Sequence, residues 1–522
     1  MSERYLMMIE VSQKQAFIFK HKLLKNNIYA SSLIQYMTSE AYFKEKAQQE
    51  FEKGSVVYNG GGHTVLEFAN KDDAKAFSRK ITKNTLKEFR DLEVFVTIYK
   101  YNETMSPEEN EKKLTEQLEV KKEERASSFY QRNFGIEAMG NGEEEKSLKD
   151  IYGISEHMMV EKEDRGDTED IEDEIQKLLE NYTVVDQFGR LGGSKDESNF
   201  IAVVHIDGNL MGKRVSELAD NVDCNIGEKS DQGWENYKET KRKFSEGIDQ
   251  NFKKAYLEML KGVAAQIDNG GSRLMEELEL EKYKGKYAFP VREIILAGDD
   301  ICFVTEGRIG VACAAAYLES IWKETNSVDH KNYSACAGVA IVHQKYPFYR
   351  AYELAEELCS SAKRMIADLD ENASANVCAI DWHIEFGEME NGLSGIRRQY
   401  RNIENKHLEM RPYIVCGDDR LLEKEKIRRY SHFKEFISCL QKDEIAARSK
   451  IKSLRTVLKD EEKRAVNYLK ANLLEDMVWK ARDCYKLGEQ NQAEKLFYQT
   501  YGGDERNMLF DAIELMDTYI TW

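Results

Sequence analysis

One order of strand and helix signals, β-α-β-β-α-β, runs through this chain twice, and both copies place a glycine turn in the central hairpin. In the first copy Tyr5 to Val11 is a short apolar run and Leu23 to Gln48 has helical spacing. Ser55 to Tyr58 and Thr64 to Phe68 flank a glycine triplet, residues 71 to 89 read as a helix, and Leu92 to Tyr99 alternates as a strand. In the second copy Phe200 to Ile206 is an apolar strand ending in Asp207. Phe244, Ile248, Phe252, Tyr256, Met259 and Val263 then recur at spacings of three and four along an amphipathic helix. Strand Arg292 to Leu296, a tight turn at Ala297 to Asp300, strand Ile301 to Thr305, helix 309 to 324 and strand Tyr333 to Val342 complete the repeat. Helix 350 to 367 and strand Ala375 to Ile384 extend it. The repetition points to an internal duplication.

Between the copies the composition shifts to Glu, Lys, Asp and Gly, with runs such as EENEKKLTEQLEVKKEER and EKEDRGDTEDIEDE. Charge patterning reads this stretch as a partly helical connector with loops and no chemistry. After Arg411-Pro412-Tyr413 the chain turns mainly helical. Ile451, Leu454, Val457 and Leu458, then Val466, Leu469, Leu473 and Leu474, then Leu509, Ile513, Met516 and Ile520 form stripes that read as core faces of a small bundle. The expected fold class is α+β, with two ferredoxin-like (βαββαβ) domains at 1–102 and 199–410, a charged connector at 103–198 and a helical C-terminal domain at 411–522.

With 41% hydrophobic residues and only four prolines the chain can build such cores, yet no apolar run approaches the roughly 20 residues that cross a bilayer. The N-terminus lacks the pattern of an export signal, so the expected location is the cytoplasm, with no membrane contact. Nine cysteines form no C-x-x-C pair and read as reduced core thiols, not zinc ligands. A formal charge of −18 is the wrong sign for a surface that grips nucleic acid as a whole, so any polynucleotide contact is local or shared with partners.

The chemistry lies in Ile201-Ala-Val-Val-His-Ile-Asp207-Gly-Asn-Leu-Met-Gly212 and, later, Ile294-Ile-Leu-Ala-Gly-Asp299-Asp300. One carboxylate ends a buried strand and two lie on a hairpin, so Asp207, Asp299 and Asp300 can converge at one sheet edge. Such hard oxygen ligands suit Mg²⁺ or Mn²⁺ and point to phosphoryl or nucleotidyl transfer. Gly208 and Gly212 let the backbone approach a triphosphate with its amides turned to the negative charge, and Asn209 and Gly298 join them as candidate nucleotide-binding positions. An Asp-Asp pair in a hairpin is often an ordinary turn. The combination with the strand-end Asp207 and two downstream segments carries the reading: Tyr333-Ser-Ala-Cys-Ala-Gly338 and Tyr349 through Ala362-Lys363.

With these segments the sequence resembles GGDEF and class III nucleotide cyclases, and more closely the large, polymerase-like subunit of type III CRISPR interference complexes, which carries two palm domains. The likeness to the second palm runs from about Phe200 to Ile384, with AGDD at 297–300 where that family has GGDD. The first copy resembles its degenerate palm: Glu10 to Phe19 and Ala30-Ser-Ser match the opening strand and helix, and Asn59-Gly-Gly-Gly-His63 replaces the acidic turn. A turn without carboxylates cannot hold two metal ions. The resemblance implies a second, non-catalytic nucleotide site at Gly60, Gly61 and Gly62 with Ser31 or Ser32, and a triphosphate contact for Lys363. Glu10, His63 and His205 are read as core or interface residues and not as ligands. No His-Asp dipeptide occurs, nothing before Tyr5 could house an HD nuclease domain, and the zinc-binding cysteine pairs of many relatives are missing, so a compact version without DNase activity is expected.

The function this implies is synthesis of a cyclic oligonucleotide, an oligoadenylate, in antiviral defence. A 3′-hydroxyl would attack the α-phosphorus of ATP or another NTP and release pyrophosphate. By resemblance the partners include subunits of an RNA-guided complex and target RNA. The rivals are a non-catalytic scaffold subunit, against which the retained like charges argue, and a mononucleotide cyclase.

Overall fold

The computed structural model describes residues 3–19, 24–60, 62–89, 92–126, 171–185, 187–191, 200–218, 231–283, 285–370, 375–387, 392–442, 448–487 and 495–522. Gly61 and much of 103–198 lie outside the described residues. The first repeat comprises β1 (Tyr5–Ser12), α1 (Lys14–Phe19), α2 (Leu24–Met37), α3 (Glu40–Phe51), β2 (Gly54–Gly60), β3 (His63–Phe68), α4 (Lys71–Glu88) and β4 (Glu93–Lys100). Its sheet has the order β2-β3-β1-β4, antiparallel throughout. The helix expected over Leu23 to Gln48 is two helices. The Thr38 hydroxyl donates back to the Ile34 carbonyl at 3.2 Å, and Ser39 then caps α3 by accepting from the Tyr42 amide.

Helices α5 (Pro107–Ala126) and α6 (Ile171–Leu179) precede the second repeat. That repeat runs β5 (Phe200–Gly208), α7 (Met211–Ser216), α8 (Asp231–Asp268), α9 (Arg273–Leu278), a short hairpin β6 (Lys282–Tyr283) and β7 (Lys286–Tyr287), β8 (Val291–Ala297), β9 (Asp300–Glu306), α10 (Gly310–Ile321), β10 (Ala335–His343), α11 (Phe348–Leu369) and β11 (Val377–Glu385). Strand β12 (Tyr413–Gly417) closes a six-stranded sheet of order β12-β11-β10-β5-β9-β8, so this sheet reaches past position 410. From its β8 edge the four strands β8-β9-β5-β10 repeat the first sheet strand for strand, and β11 adds in parallel to β10.

The central strand β5 is apolar because both its faces are covered. Ala202, Val204 and Ile206 join the core under α8 and α10, while Ile201 and Val203 face a second core shared with the first repeat, including Met7, Phe17, Phe19 and Leu33. Helix α8 holds the repeats together. Its 38 residues span about 57 Å at 1.5 Å per residue. Phe244, Ile248, Phe252 and Tyr256 cover the second sheet, and Trp234 and Tyr237 cover the first beside Leu6, Met8 and Phe95. Two carboxylates pin that junction. Glu67 accepts from Arg4 (2.7 Å), Trp234 (3.0 Å) and Lys238 (2.9 Å), and Glu111 accepts from Tyr58 (2.6 Å), Tyr237 (2.5 Å) and Lys241.

Glu111 belongs to α5, which corrects the connector reading for 107–126. Leu114 and Leu118 are fully buried against the first sheet, so this helix is a layer of the first repeat. Two leucines four residues apart among charges are too narrow a stripe to announce a buried helix; the neighbouring aromatics supply the rest of the apolar contact. In the C-terminal region Ile451, Leu454, Leu458, Leu469, Leu474, Ile513 and Ile520 are buried as expected. Leu473 is instead 79% exposed, in a left-handed conformation just past a helix end.

Gly338 on β10 lies under α11, and a Cβ there would stand 1.9 Å from the Ala355 carbonyl oxygen and 2.4 Å from the Cys359 amide. Backbone cannot yield locally, so Gly338→Ala is expected to destabilise the protein by about 3 kcal/mol or more in urea denaturation. Gly270→Ala, with nothing within 4 Å, is expected to shift it by no more than about 0.5 kcal/mol.

Candidate active site

Asp207 and Asp300 are register partners across the antiparallel pair β5 and β9. Strand alternation places His205 and Asp207 on one face of β5, with Asp300 and Cys302 opposite them on β9. This is the face turned to α11 and the first repeat. Asp299 arrives from the two-residue turn between β8 and β9, where Gly298 has φ +63°, the conformation that a tight hairpin with glycine in first place requires. The Gly298 amide donates to Asp249 of α8 at 3.3 Å. Ala297 is outside the left-handed region, so the alanine in AGDD is unstrained. Gly208 is needed for close approach: a Cβ there would meet the Asp299 Cβ at 2.8 Å and Oδ2 at 3.0 Å. Its amide donates to the Asp299 carbonyl at 3.2 Å, which ties the two acid-bearing segments together.

Lys363 of α11 donates from Nζ to Asp207 Oδ2 at 2.6 Å and to the Gly208 carbonyl at 3.1 Å. Burial pulls the ammonium down, but Asp207 outweighs it and raises the Lys363 pKa. Burial, then repulsion from Asp207, lifts Asp299 to about 6. Burial with Asp207, Asp299 and Glu356 lifts Asp300 to about 7. Glu356, two turns before Lys363 on α11, is itself raised by burial and by Asp207. Lys14 of α1 offsets part of the charge at Asp300; burial lowers this lysine while Glu10 and Asp300 oppose the shift.

Among the described residues no group of three or more His, Cys, Asp or Glu side chains stands ready as a metal cage. The donors nevertheless fit a hard cation. They are carboxylates lifted by burial and by one another, and a divalent charge would relieve that mutual repulsion. Asp207, Asp299 and Asp300 would hold such an ion, with Lys363 displaced from Asp207 Oδ2.

The other candidates are distributed unevenly. Asn209 is buried, its side chain donating to the Val377 carbonyl at 3.0 Å and its amide to the Ser334 carbonyl at 2.8 Å, so its side chain braces the loop after β5. Gly212 has open space around it. In the first repeat Ser31 is buried and Ser32 donates to the Ile28 carbonyl of its own helix. Gly60 is open, whereas Gly62 has φ +76° and lies against Lys14, whose Nζ would be 2.9 Å from a Cβ. Glu10 pairs with Lys122 at 2.9 Å, and burial lowers His63 to about 4. Lys14, Glu356 and Asp249 are the site neighbours that sequence reading missed. Glu356 was within reach, seven residues from Lys363 on the same helix face; the other two depend on packing between distant segments. An open cleft lined by Ser78, Thr82 and Lys121 at the β4 edge contains none of these residues.

Residues 200–370 match the family model described as Cas10/Cmr2, second palm domain. No curated protein matches the chain. Among solved structures, the apo Csm1-Csm4 cassette is similar at 12% identity and TM-score 0.53, over 99% of this chain and 70% of that one. The Csm1-Csm4 cassette in complex with cA3 is similar at 13% identity and TM-score 0.51, with the same coverage. Csm1 from T.onnurineus is similar at 14% identity and TM-score 0.51, over 100% of this chain and 70% of that one. At such identities the likeness concerns the fold, a two-palm α+β architecture with a helical C-terminal region.

A carboxyl held above its ordinary value favours folding fully below its unfolded pKa, near 3.8 here, and that contribution is lost as pH rises through the folded values of about 6 and 7. The metal-free protein is therefore expected to lose thermal stability from about pH 4 to about pH 7, the linkage window between those values. Asp299→Asn with Asp300→Asn should raise the melting midpoint at the upper end by about 2–4 °C and flatten the pH profile in scanning calorimetry.

Proposed function

Because residues 200–370 match the Cas10/Cmr2 second palm domain, we propose that this chain synthesises cyclic oligonucleotides from ATP by phosphoryl transfer. The observation that carries the reading is the register pairing of Asp207 with Asp300, with Asp299 and Lys363 at the same sheet edge, under a face closed by a second palm whose turn has no carboxylates. A cassette of the same fold holds cA3, which fits a product of this kind. The cytoplasm, with its ATP and reducing conditions, suits the eight free cysteines among the described residues.

In this reading Asp207, Asp299 and Asp300 hold Mg²⁺ or Mn²⁺. Divalent ions there would lower the pKa of an acceptor 3′-hydroxyl and offset charge developing on the phosphoryl oxygens. Lys363 exchanges its bond with Asp207 for one with the triphosphate, so its ammonium stays at the same end of β5 in both situations. Gly208 keeps that end narrow and free of side-chain bulk. In the first palm Gly60 and Gly62 receive the second nucleotide, with Lys14 behind Gly62 supplying positive charge. Orientation of two nucleotides across the palm interface then does much of the catalytic work. Subunits of an RNA-guided complex and a target RNA are the partners this reading assigns.

The test is incubation of the purified full chain with each α-labelled NTP and Mn²⁺, followed by separation of products. Larger rings or linear oligomers are expected from ATP. Asp299→Ala with Asp300→Ala should reduce pyrophosphate release at least about 100-fold, and Lys363→Met should lower kcat/KM about tenfold or more. Undiminished release from the double variant would overturn the site. A wild-type chain without product would mark a scaffold, and a cyclic mononucleotide would mark the rival cyclase.

A further inference from the structure

Asp300 Oδ1, buried and without a hydrogen-bond partner, faces Nδ1 of His205 at 3.6 Å. That separation is just beyond a hydrogen bond. His205 sits two residues before Asp207 on the same strand face and is 4% exposed. Its ring is held from the side by Tyr352 of α11, edge-on with centroids 5.4 Å apart and with the hydroxyl 3.5 Å from Nδ1. The first palm holds Tyr352 in turn. Phe19 stacks on its ring at 3.8 Å, and Gln15 Nε2 donates to its hydroxyl oxygen at 2.9 Å. Both residues come from α1.

A histidine that merely filled the core would need no such frame, since leucine would fill the same wall without burying two ring nitrogens. An imidazole always carries at least one N–H, and Nδ1 is the ring nitrogen that faces the unpartnered oxygen. An ionised carboxylate accepts hydrogen bonds and cannot donate, so an imidazole nitrogen facing it is a favourable neighbour only as the donor. Carboxylates that ligate metals are commonly oriented by such outer donors.

We propose that His205 is a positioning residue for Asp300, its Nδ1–H turning Oδ1 inward so that the other oxygen faces a divalent cation, with Gln15 and Phe19 of the first palm fixing the imidazole through Tyr352. The inference rests on the reading of Asp300 as a metal ligand. It makes the first palm a structural contributor to the acid site in addition to a nucleotide shelf.

The test is a Mn²⁺ titration of the full chain without nucleotide, free ion being read by electron paramagnetic resonance. His205→Leu is expected to weaken Mn²⁺ binding about 10–100-fold. His205→Asn, whose amide nitrogen replaces Nδ1, is expected to stay close to wild type, a rescue that a purely space-filling role would not produce. If His205→Leu does not fold by circular dichroism, His205→Gln takes its place, since its amide nitrogen replaces Nε2 and leaves Oδ1 without a donor. Unchanged affinity in the Leu or Gln variant, or equal loss in a folded Asn variant, overturns this inference alone. A wild-type chain whose Mn²⁺ binding is absent, or is insensitive to Asp299→Ala with Asp300→Ala, overturns both it and the metal-site reading beneath it.

Discussion

Asp207 and Asp300 stand directly opposite each other across two antiparallel strands, where like charges repel and would ordinarily favour another register. The register is held by everything upstream of the acids. Ala202, Val204 and Ile206 must face α8 and α10 while Ile201 and Val203 face the first palm, and a one-residue slip would exchange these faces along all of β5. The free energy of two buried cores therefore maintains a pair of charges that the sheet by itself would reject. Lys363 from α11 answers part of the repulsion at Asp207, and Lys14 from α1 answers part of it at Asp300.

The two repeats differ at one hairpin within the same geometry. The first sheet has the strand order of the second, but its hairpin ends in glycines and His63 where the second has Asp299 and Asp300. A carboxylate turn there would add charge to an interface already crowded with acids; a glycine turn backed by Lys14 does the opposite. Helix α8 and the carboxylates Glu67 and Glu111 fasten the outer side of this arrangement, and the stack of Phe19 on Tyr352 fastens the inner side. Neither palm face is left to pack alone.

Much of this was legible from residue order because period and punctuation are local. The double βαββαβ order, the hairpin at 297–300, the acids at strand ends and the helix carrying Lys363 all follow from spacing, and the four strands of each repeat lie close to where the alternation places them. What escaped depends on contacts between distant segments. The helix 107–126 reads as charged because its buried apolar contact is narrow, Leu114 and Leu118 beside Glu111, and that burial depends on Trp234 and Tyr237 more than a hundred residues later. The break at Thr38 was hidden because a hydroxyl bonding to its own helix looks no different in sequence from one that does not.

Residue order by itself determined the duplicated fold, the loss of acids in one copy and the three carboxylates in the other, since hydrophobic periodicity and residue chemistry are properties of the chain. Tertiary structure decided which neighbours those carboxylates meet: Lys363 on Asp207, His205 facing Asp300, and the charge of Lys14 acting on Asp300 from the first repeat. The physical reason is that burial and Coulomb interactions act through space, so a side chain's protonation and orientation are set by whatever packing brings within a few ångströms of it, however far apart the residues lie in the chain.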